Sequence, residues 1–214
     1  MASPHATIAI LSIGQMGLGI AQLLKAHNYR IITNVSDRSA ATQDRAKSAG
    51  IELFSTDEDI VSRADYILSI VPPRDAVATA KRVGEAFGKT TRDQAERLYY
   101  LDLNAISPAT AKVIAQLFSQ NTLSQYEPDV RFMDGGIIGG PPAPSPNETS
   151  GWSRPGIPIS GPEPLQRAPV SGAHLADVLN TRWLGKDVGS ASGLKCCFAA
   201  LSKGCTNSRR LNCM

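Results

Sequence analysis

A chain of 214 residues is long enough for one α/β domain and a small extension. With 42% apolar and 19% charged residues it has the make-up of a globular protein, and a net charge of +3 is too mild to point to nucleic acid. No run approaches the ~20 apolar residues of a membrane span, and Met1-Ala2-Ser3-Pro4-His5 lacks the charged start of a signal peptide, so a cytoplasmic protein without a membrane partner is expected.

The first predicted strand, Thr7–Ile13, stops at a glycine turn, and a helix pattern, Gly17–His27, begins at once. A strand follows at Arg30–Asn34, then a helix at Ser39–Ala49 ended by Gly50, then a short strand at Ile51–Phe54. Ser55-Thr56-Asp57-Glu58 has capping-box spacing and predicts another short helix. Tyr66–Val71 reads as a strand closed by Pro72-Pro73, and Asp75–Phe87 as a helix. After a strand at Leu98–Leu103, Ser107-Pro108 supplies an N-cap and an N1 proline for a helix to Phe118. Val130–Asp134 is a further strand. Proline and glycine then break the pattern from Pro141 to Pro164, with a short strand expected at Ile157–Ser160. A helix at His174–Asn180, a strand at Thr181–Leu184 and a helix at Ser190–Lys203 complete the set; the tail from Gly204 shows no periodicity.

Strands alternating with helices predict an α/β fold, a doubly wound parallel Rossmann sheet over residues 1–185. Residues 186–214 then hold one helix and an irregular tail. Leu194, Cys197, Phe198 and Leu201 share a face of that helix, which has no partner later in the chain. It must pack on the sheet, pair with another subunit in a homo-oligomer, or lie exposed.

A strand, a tight turn and a helix start make a site for a nucleotide pyrophosphate, because the first helical N–H groups are unpaired and the dipole is positive there. Here the turn is Ser12-Ile13-Gly14-Gln15-Met16-Gly17, with serine where GxGxxG has its first glycine. Gly14 allows close approach of the phosphates, and Gly17 allows close packing of helix on strand. After the second strand stand Asn34, Ser36, Arg38 and Ser39, groups that suit the extra phosphate of NADP; Asp37 keeps NAD open. Val71 and Pro72 follow the next strand and would wall the nicotinamide ribose. Asn104 would bond a ribose hydroxyl or the carboxamide, or is an ordinary turn residue. Gly135, Gly136, Gly139 and Gly140 would offer backbone N–H groups to a small carboxylate, or form a flexible loop.

Lys195 follows a run of small residues, Gly189-Ser190-Ala191-Ser192-Gly193. Apolar Leu194, Cys196 and Cys197 would desolvate its amine, as a general base requires; a solvated surface lysine is the plainer reading. All four cysteines, Cys196, Cys197, Cys205 and Cys213, lie close to the C-terminus in no metal-binding spacing, so reduced thiols and no metal site are expected. Asn147-Glu148-Thr149 fits a glycosylation acceptor, a match expected to be fortuitous in a cytoplasmic chain.

Together these motifs resemble the β-hydroxyacid dehydrogenase and 6-phosphogluconate dehydrogenase superfamily, in particular its fungal-type members, over roughly residues 6–204. The family's GxGxMG turn corresponds to Ser12–Gly17. Its substrate loop corresponds to Asp102-Leu103-Asn104-Ala105-Ile106-Ser107-Pro108, its Asp-x-x-x-x-Gly-Gly segment to Asp134–Gly140, and its GxxGxxxK helix to Gly189–Lys195. The resemblance implies an NADP-dependent oxidoreductase acting on a small hydroxy acid, with Lys195 as general base and Ser107 and the glycine segment on the substrate carboxylate. It also implies departures. Ala199 stands where the family often has asparagine, and the family's large helical domain would be cut short here. A nucleotide-binding remnant with little or no catalysis is therefore the alternative expectation. Imine reductases resemble the pattern too, but usually carry another residue where Lys195 stands.

Overall fold

The computed structural model describes residues 3–92, 97–120 and 130–208. Its centre is an eight-stranded sheet. In chain order the strands are β1 (Thr7–Leu11), β2 (Arg30–Asn34), β3 (Glu52–Phe54), β4 (Tyr66–Ser69), β5 (Leu98–Asp102), β6 (Val130–Gly135), β9 (Ile157–Ser160) and β10 (Thr181–Trp183). They lie side by side as β10-β9-β6-β5-β4-β1-β2-β3, so that β1 sits where the order reverses, between β4 and β2. That is the Rossmann arrangement, and its ligand crevice opens at the C-terminal ends of the strands.

The helices are α1 (Gln15–Ala26), α2 (Ala40–Ser48), α3 (Asp57–Arg63), α4 (Ala76–Lys89), α5 (Pro108–Gln120), α6 (Gly172–Val178) and α7 (Ser190–Ser208). Strand side chains alternate between two cores. Ile8, Ile10, Tyr99 and Leu101 meet Ile20, Leu24, Ala46 and Leu175 from α1, α2 and α6. Ala9, Leu11, Leu98 and Tyr100 meet Ile60, Val83, Ile114 and Phe118 from α3, α4 and α5. Each face is thus sealed by helices, as parallel strands require.

Several expected boundaries shift for local reasons. β1 ends at Leu11 because Ser12 turns to φ 83°. The capping box of α3 begins one residue later than predicted: the Thr56 hydroxyl accepts the Asp59 N–H at 3.1 Å and donates to the Asp59 carboxylate at 2.6 Å. The sheet is not wholly parallel. β9 runs antiparallel to β6, since the chain returns without a crossover helix, through a small ribbon of β7 (Ala143–Pro144) and β8 (Trp152–Ser153). α7 runs on through Gly204 to Ser208, where the sequence shows no periodicity, because a nucleated helix adds a hydrogen bond with each residue. Cys213 and the rest of the tail lie outside the described residues. Among those described, no helix is long and apolar enough to cross a membrane.

At the opposite end of the sheet from the crevice, all three histidines meet. The His5 and His174 rings are 4.4 Å apart and those of His27 and His174 6.3 Å apart, while Tyr29 Oη and His174 Nδ1 lie within 2.8 Å. Burial, then His5 and His27, hold His174 below the ordinary imidazole range, against a smaller opposing pull from Asp177. Above about pH 6.5 neither folded nor unfolded chain protonates this ring. As pH falls through that value, the unfolded chain takes the proton first and stability is lost. Between pH 7.5 and 5.5 the urea midpoint of the wild type should therefore fall relative to that of His174→Gln; a constant difference between the two would place the pH dependence elsewhere.

Candidate functional site

The turn after β1 has the shape that a phosphate site needs. Ser12 carries the left-handed backbone usually left to glycine. Gly14 is the N-cap of α1, and a Cβ added there would meet nothing within 4 Å. At Gly17 the opposite holds: a Cβ would stand 2.1 Å from the Ser12 carbonyl oxygen, so helix and turn touch only because that side chain is absent. Gln15 is exposed and Met16 packs partly on the core. No acidic residue occupies the first turn of α1, so the positive helix end is left for a ligand.

Beside this turn is a cleft of about 160 Å³ lined by Ser12, Ile13, Gly14, Arg38, Thr42 and Arg45. Arg45 Nη1 also donates to the Ile13 carbonyl at 2.9 Å. Thr42 and Arg45 were not among the sequence-predicted residues. Three residues apart in α2, they share one helix face just after Arg38, and that spacing is the signal that would have found them. Ser39 Oγ lies 3.2 Å from Thr42 Oγ1 at the head of α2.

Asn34 and Ser36 shape the loop that brings Arg38 here. The Asn34 amide donates to Asp57 at 2.8 Å, and its oxygen accepts both the N–H and the hydroxyl of Ser36. Asp37 lies between two guanidiniums, 3.4 Å from Arg38 and 3.8 Å from Arg82.

At the ends of β4 and β5 the amide of Asn104 joins two loops. Its oxygen accepts the Val71 N–H at 2.7 Å, its nitrogen donates to Ser69 Oγ at 3.0 Å, and its own backbone N–H donates to Asp102 at 3.0 Å. Asn104 is buried with these partners, while Pro72 stands exposed at the loop surface. Ser107 caps α5 by accepting the Thr110 N–H at 3.1 Å, and it remains exposed.

The glycine segment divides in two. Gly135 and Gly136 are buried, and the Gly136 N–H donates to the Pro158 carbonyl at 3.2 Å instead of facing solvent. A Cβ on Gly135 would strike Leu103, and one on Gly136 would lie 2.9 Å from the Lys195 Cβ. Gly139 and Gly140 are exposed at the rim. Lys195 reaches across Gly136, and its Nζ donates to the Ile137 carbonyl. Its expected apolar shield is not there: Leu194, Cys196 and Cys197 are all exposed. Leu194 and Cys197 lie on the outer side of α7, Cys196 Sγ donates to the Ile106 carbonyl at 3.5 Å, and the inner side of the helix rests on β6, β9 and α5.

The structure thus brings the phosphate turn, Arg38 and Ser39 to one end of the crevice. It gathers Asn104, Ser107, the glycine segment and Lys195 on the strand ends farther along.

Turn, strand order and rim define an NAD(P)-binding Rossmann domain. Residues 7–143 match the family model of the NAD-binding domain of 6-phosphogluconate dehydrogenase, and the chain belongs to that family. An uncharacterized 28.5 kDa protein of Methanothermus fervidus is 26% identical over 132 residues, 62% of this chain and 45% of its own length. A solved protein of unknown function, described as structurally similar to 3-hydroxyacid dehydrogenases, is 24% identical with a TM-score of 0.68, over 92% of this chain and 65% of its own. The imine reductase of Myxococcus stipitatus, in complex with NADP+, is 20% identical with a TM-score of 0.71, over 95% of this chain and 63% of its own. A variant of that reductase was solved with NAD+. The chain therefore spans less than two thirds of the length of each of these proteins.

One buried group in this rim has a testable cost. Burial pushes the Asp102 carboxyl up to about 6, hydrogen bonds from Asn104 pull it back, and neighbouring Asp134 adds a further push. In an unfolded chain the group titrates near 3.9. The folded state holds the proton more tightly between these values, so stability is full below about 3.9 and is lost as pH rises through about 6. Asp102→Asn keeps an acceptor for the Asn104 N–H and removes the charge. It should stabilise the fold at pH 7 by on the order of 2–3 kcal/mol, a gain that shrinks toward pH 4 in urea titrations. A gain independent of pH would mean that packing, not charge, is responsible.

Proposed function

We propose that this chain is an NADP-dependent oxidoreductase acting on a small hydroxy acid, with Lys195 as the general base. The observation that carries the reading is the placement of Lys195 across Gly136, with its amine at the Ile137 carbonyl. An amine at the strand ends where the Rossmann crevice opens supports this role. Gly14, Gln15, Met16 and Gly17 fit the pyrophosphate, because the turn is open above Gly14 and ends on a positive helix terminus. Arg38, Thr42 and Arg45 suit an extra phosphate, with Ser39 beside Thr42. Asp37, the residue that would favour NAD, already faces Arg38 and Arg82. Val71 and Pro72 would wall the nicotinamide ribose, in a loop held by Asn104.

Bound nicotinamide would supply the hydride acceptor. Lys195 Nζ would take the hydroxyl proton as hydride leaves the same carbon, giving a carbonyl product. Ser107, Gly139 and Gly140 stand exposed near enough to the rim to hold the carboxylate, while Gly135 and Gly136 make room for the loop and for the lysine stem. Residues 1–185 form the nucleotide-binding unit in this reading, and 186–214 carry the lysine to it.

A second reading, cofactor binding without turnover, is favoured by one feature. Leu194 at 45%, Phe198 at 49% and Leu201 at 69% exposure leave an uncovered apolar surface on the helix that bears Lys195. A site that does not exclude water stabilises developing charge poorly.

Fluorescence titration with NADPH and NADH tests the cofactor. Arg38→Ala and Arg45→Ala should each weaken NADPH by on the order of 1.5–3 kcal/mol, the worth of a charge-assisted hydrogen bond, and leave NADH nearly unchanged. Equal losses for both cofactors would sink the NADP assignment. A screen of 3-hydroxy acids tests the chemistry. Lys195→Met should abolish turnover at unchanged cofactor affinity; tight NADPH binding with no turnover on any hydroxy acid would favour the second reading.

A further inference from the structure

We infer that Asp134 is the positioning residue for Lys195, its buried carboxylate holding the lysine helix on the sheet through three hydrogen bonds and taking a fourth from Ser160; this rests on the proposed role of Lys195.

Asp134 is the last residue but one of β6 and is fully buried. Its Oδ2 accepts the Gly189 N–H, the Ser192 N–H and the Ser160 hydroxyl, each at 3.0 Å. Its Oδ1 accepts the Ser192 hydroxyl. Ser160, on β9, in turn accepts the Ala191 N–H at 3.1 Å. Two side chains from the sheet thus meet three backbone N–H groups at the start of α7. A helix normally finds such acceptors in its own N-cap. α7 has no acidic residue in its first turn, and the anion at its positive end comes from a residue more than fifty positions earlier.

The same strand then supplies the next contacts. β6 ends at Gly135, and the chain passes directly into Gly136, over which the Lys195 stem packs, and Ile137, whose carbonyl takes the Lys195 amine. Asp134 grips the first turn of α7 and Ile137 grips the next. Two anchors one turn apart fix both the rotation of the helix about its axis and its rise along the strand. On the other side, Gly189 at φ +101° lies against Pro108, where a Cβ would come within 3.1 Å. The helix start is therefore held between β6 and the head of α5, and with it the position of Nζ at the rim.

The test compares Asp134→Ala, which removes all four acceptor contacts, with Asp134→Asn, which keeps the size and one acceptor oxygen. Three measurements are made on the full chain: peptide-level hydrogen exchange, acetylation of Lys195 by an N-hydroxysuccinimide ester followed by mass spectrometry, and NADPH affinity by fluorescence. In Asp134→Ala, exchange over residues 189–196 should rise at least tenfold and Lys195 should acetylate several times faster. NADPH affinity should stay within twofold, and Asp134→Asn should fall between variant and wild type. If Asp134→Ala does not fold, the double variant Ser160→Ala, Ser192→Ala, which loosens the same cap, gives the same readouts.

Wild-type exchange and acetylation in a folded variant would overturn the inference. So would exchange raised evenly over β5, β6 and α7, which is the mark of a general loss of stability. None of these readouts needs turnover. A chain inactive on every hydroxy acid but showing the local pattern would refute the dehydrogenase reading and keep Asp134 as the anchor of α7. Lys195-dependent turnover at wild-type kcat in Asp134→Ala would do the reverse.

Discussion

A mostly parallel sheet must be covered on both faces, and that constraint decides where this molecule can meet a ligand. Helices α1, α2 and α6 close one face and α3, α4 and α5 the other. The rim at the C-terminal strand ends stays uncovered by these helices. Each central strand delivers something there. β1 delivers the Ser12–Gly14 turn, β2 the loop to Arg38, β4 and β5 the Val71–Asn104 junction, and β6 the path from Asp134 to the exposed Gly139 and Gly140.

Charge is sorted along that rim. The β2 side presents Arg38 and Arg45 around an open turn, with Asp37 partnered and Asp57 held by Asn34. The β5 and β6 side buries two carboxylates that are partners in the strand register, Asp102 and Asp134. They face different company. Asp134 is ringed by donors from α7 and Ser160, while Asp102 depends on Asn104 and is pushed upward by burial. The two ends of the crevice are thus built by different means: a helix N-terminus with exposed guanidiniums at one, buried carboxylates at the other.

Much of the fold was legible because it rests on local rules. The apolar run into Gly14 and Gly17, the Ser107-Pro108 helix start and the alternation of strands with helices all act within a few residues. The β9 reversal was not legible, since nothing in Ile157–Ser160 tells a strand which way its neighbour runs. Arg45 was missed although it shares a face with Thr42 on the helix that follows Arg38. Asn104 and Gly136 were recognised as special positions, yet their contacts turn on distant partners: Ser69 and Val71 for the one, Lys195 and Pro158 for the other.

By itself the sequence determined the order of elements, the nucleotide turn and the choice of residue types at each strand end, because those follow from backbone sterics, hydrophobic period and helix capping. Only the tertiary structure decided which of those residues face a ligand and which face each other. Gly14 is open and Gly17 is pressed on Ser12, though both belong to one motif. Lys195 lies at the rim because Asp134 and Ile137, remote in sequence, meet the first two turns of its helix. Hydrogen bonds between residues so far apart leave no periodic trace along the chain; they exist only once the sheet has placed β6 beside α7.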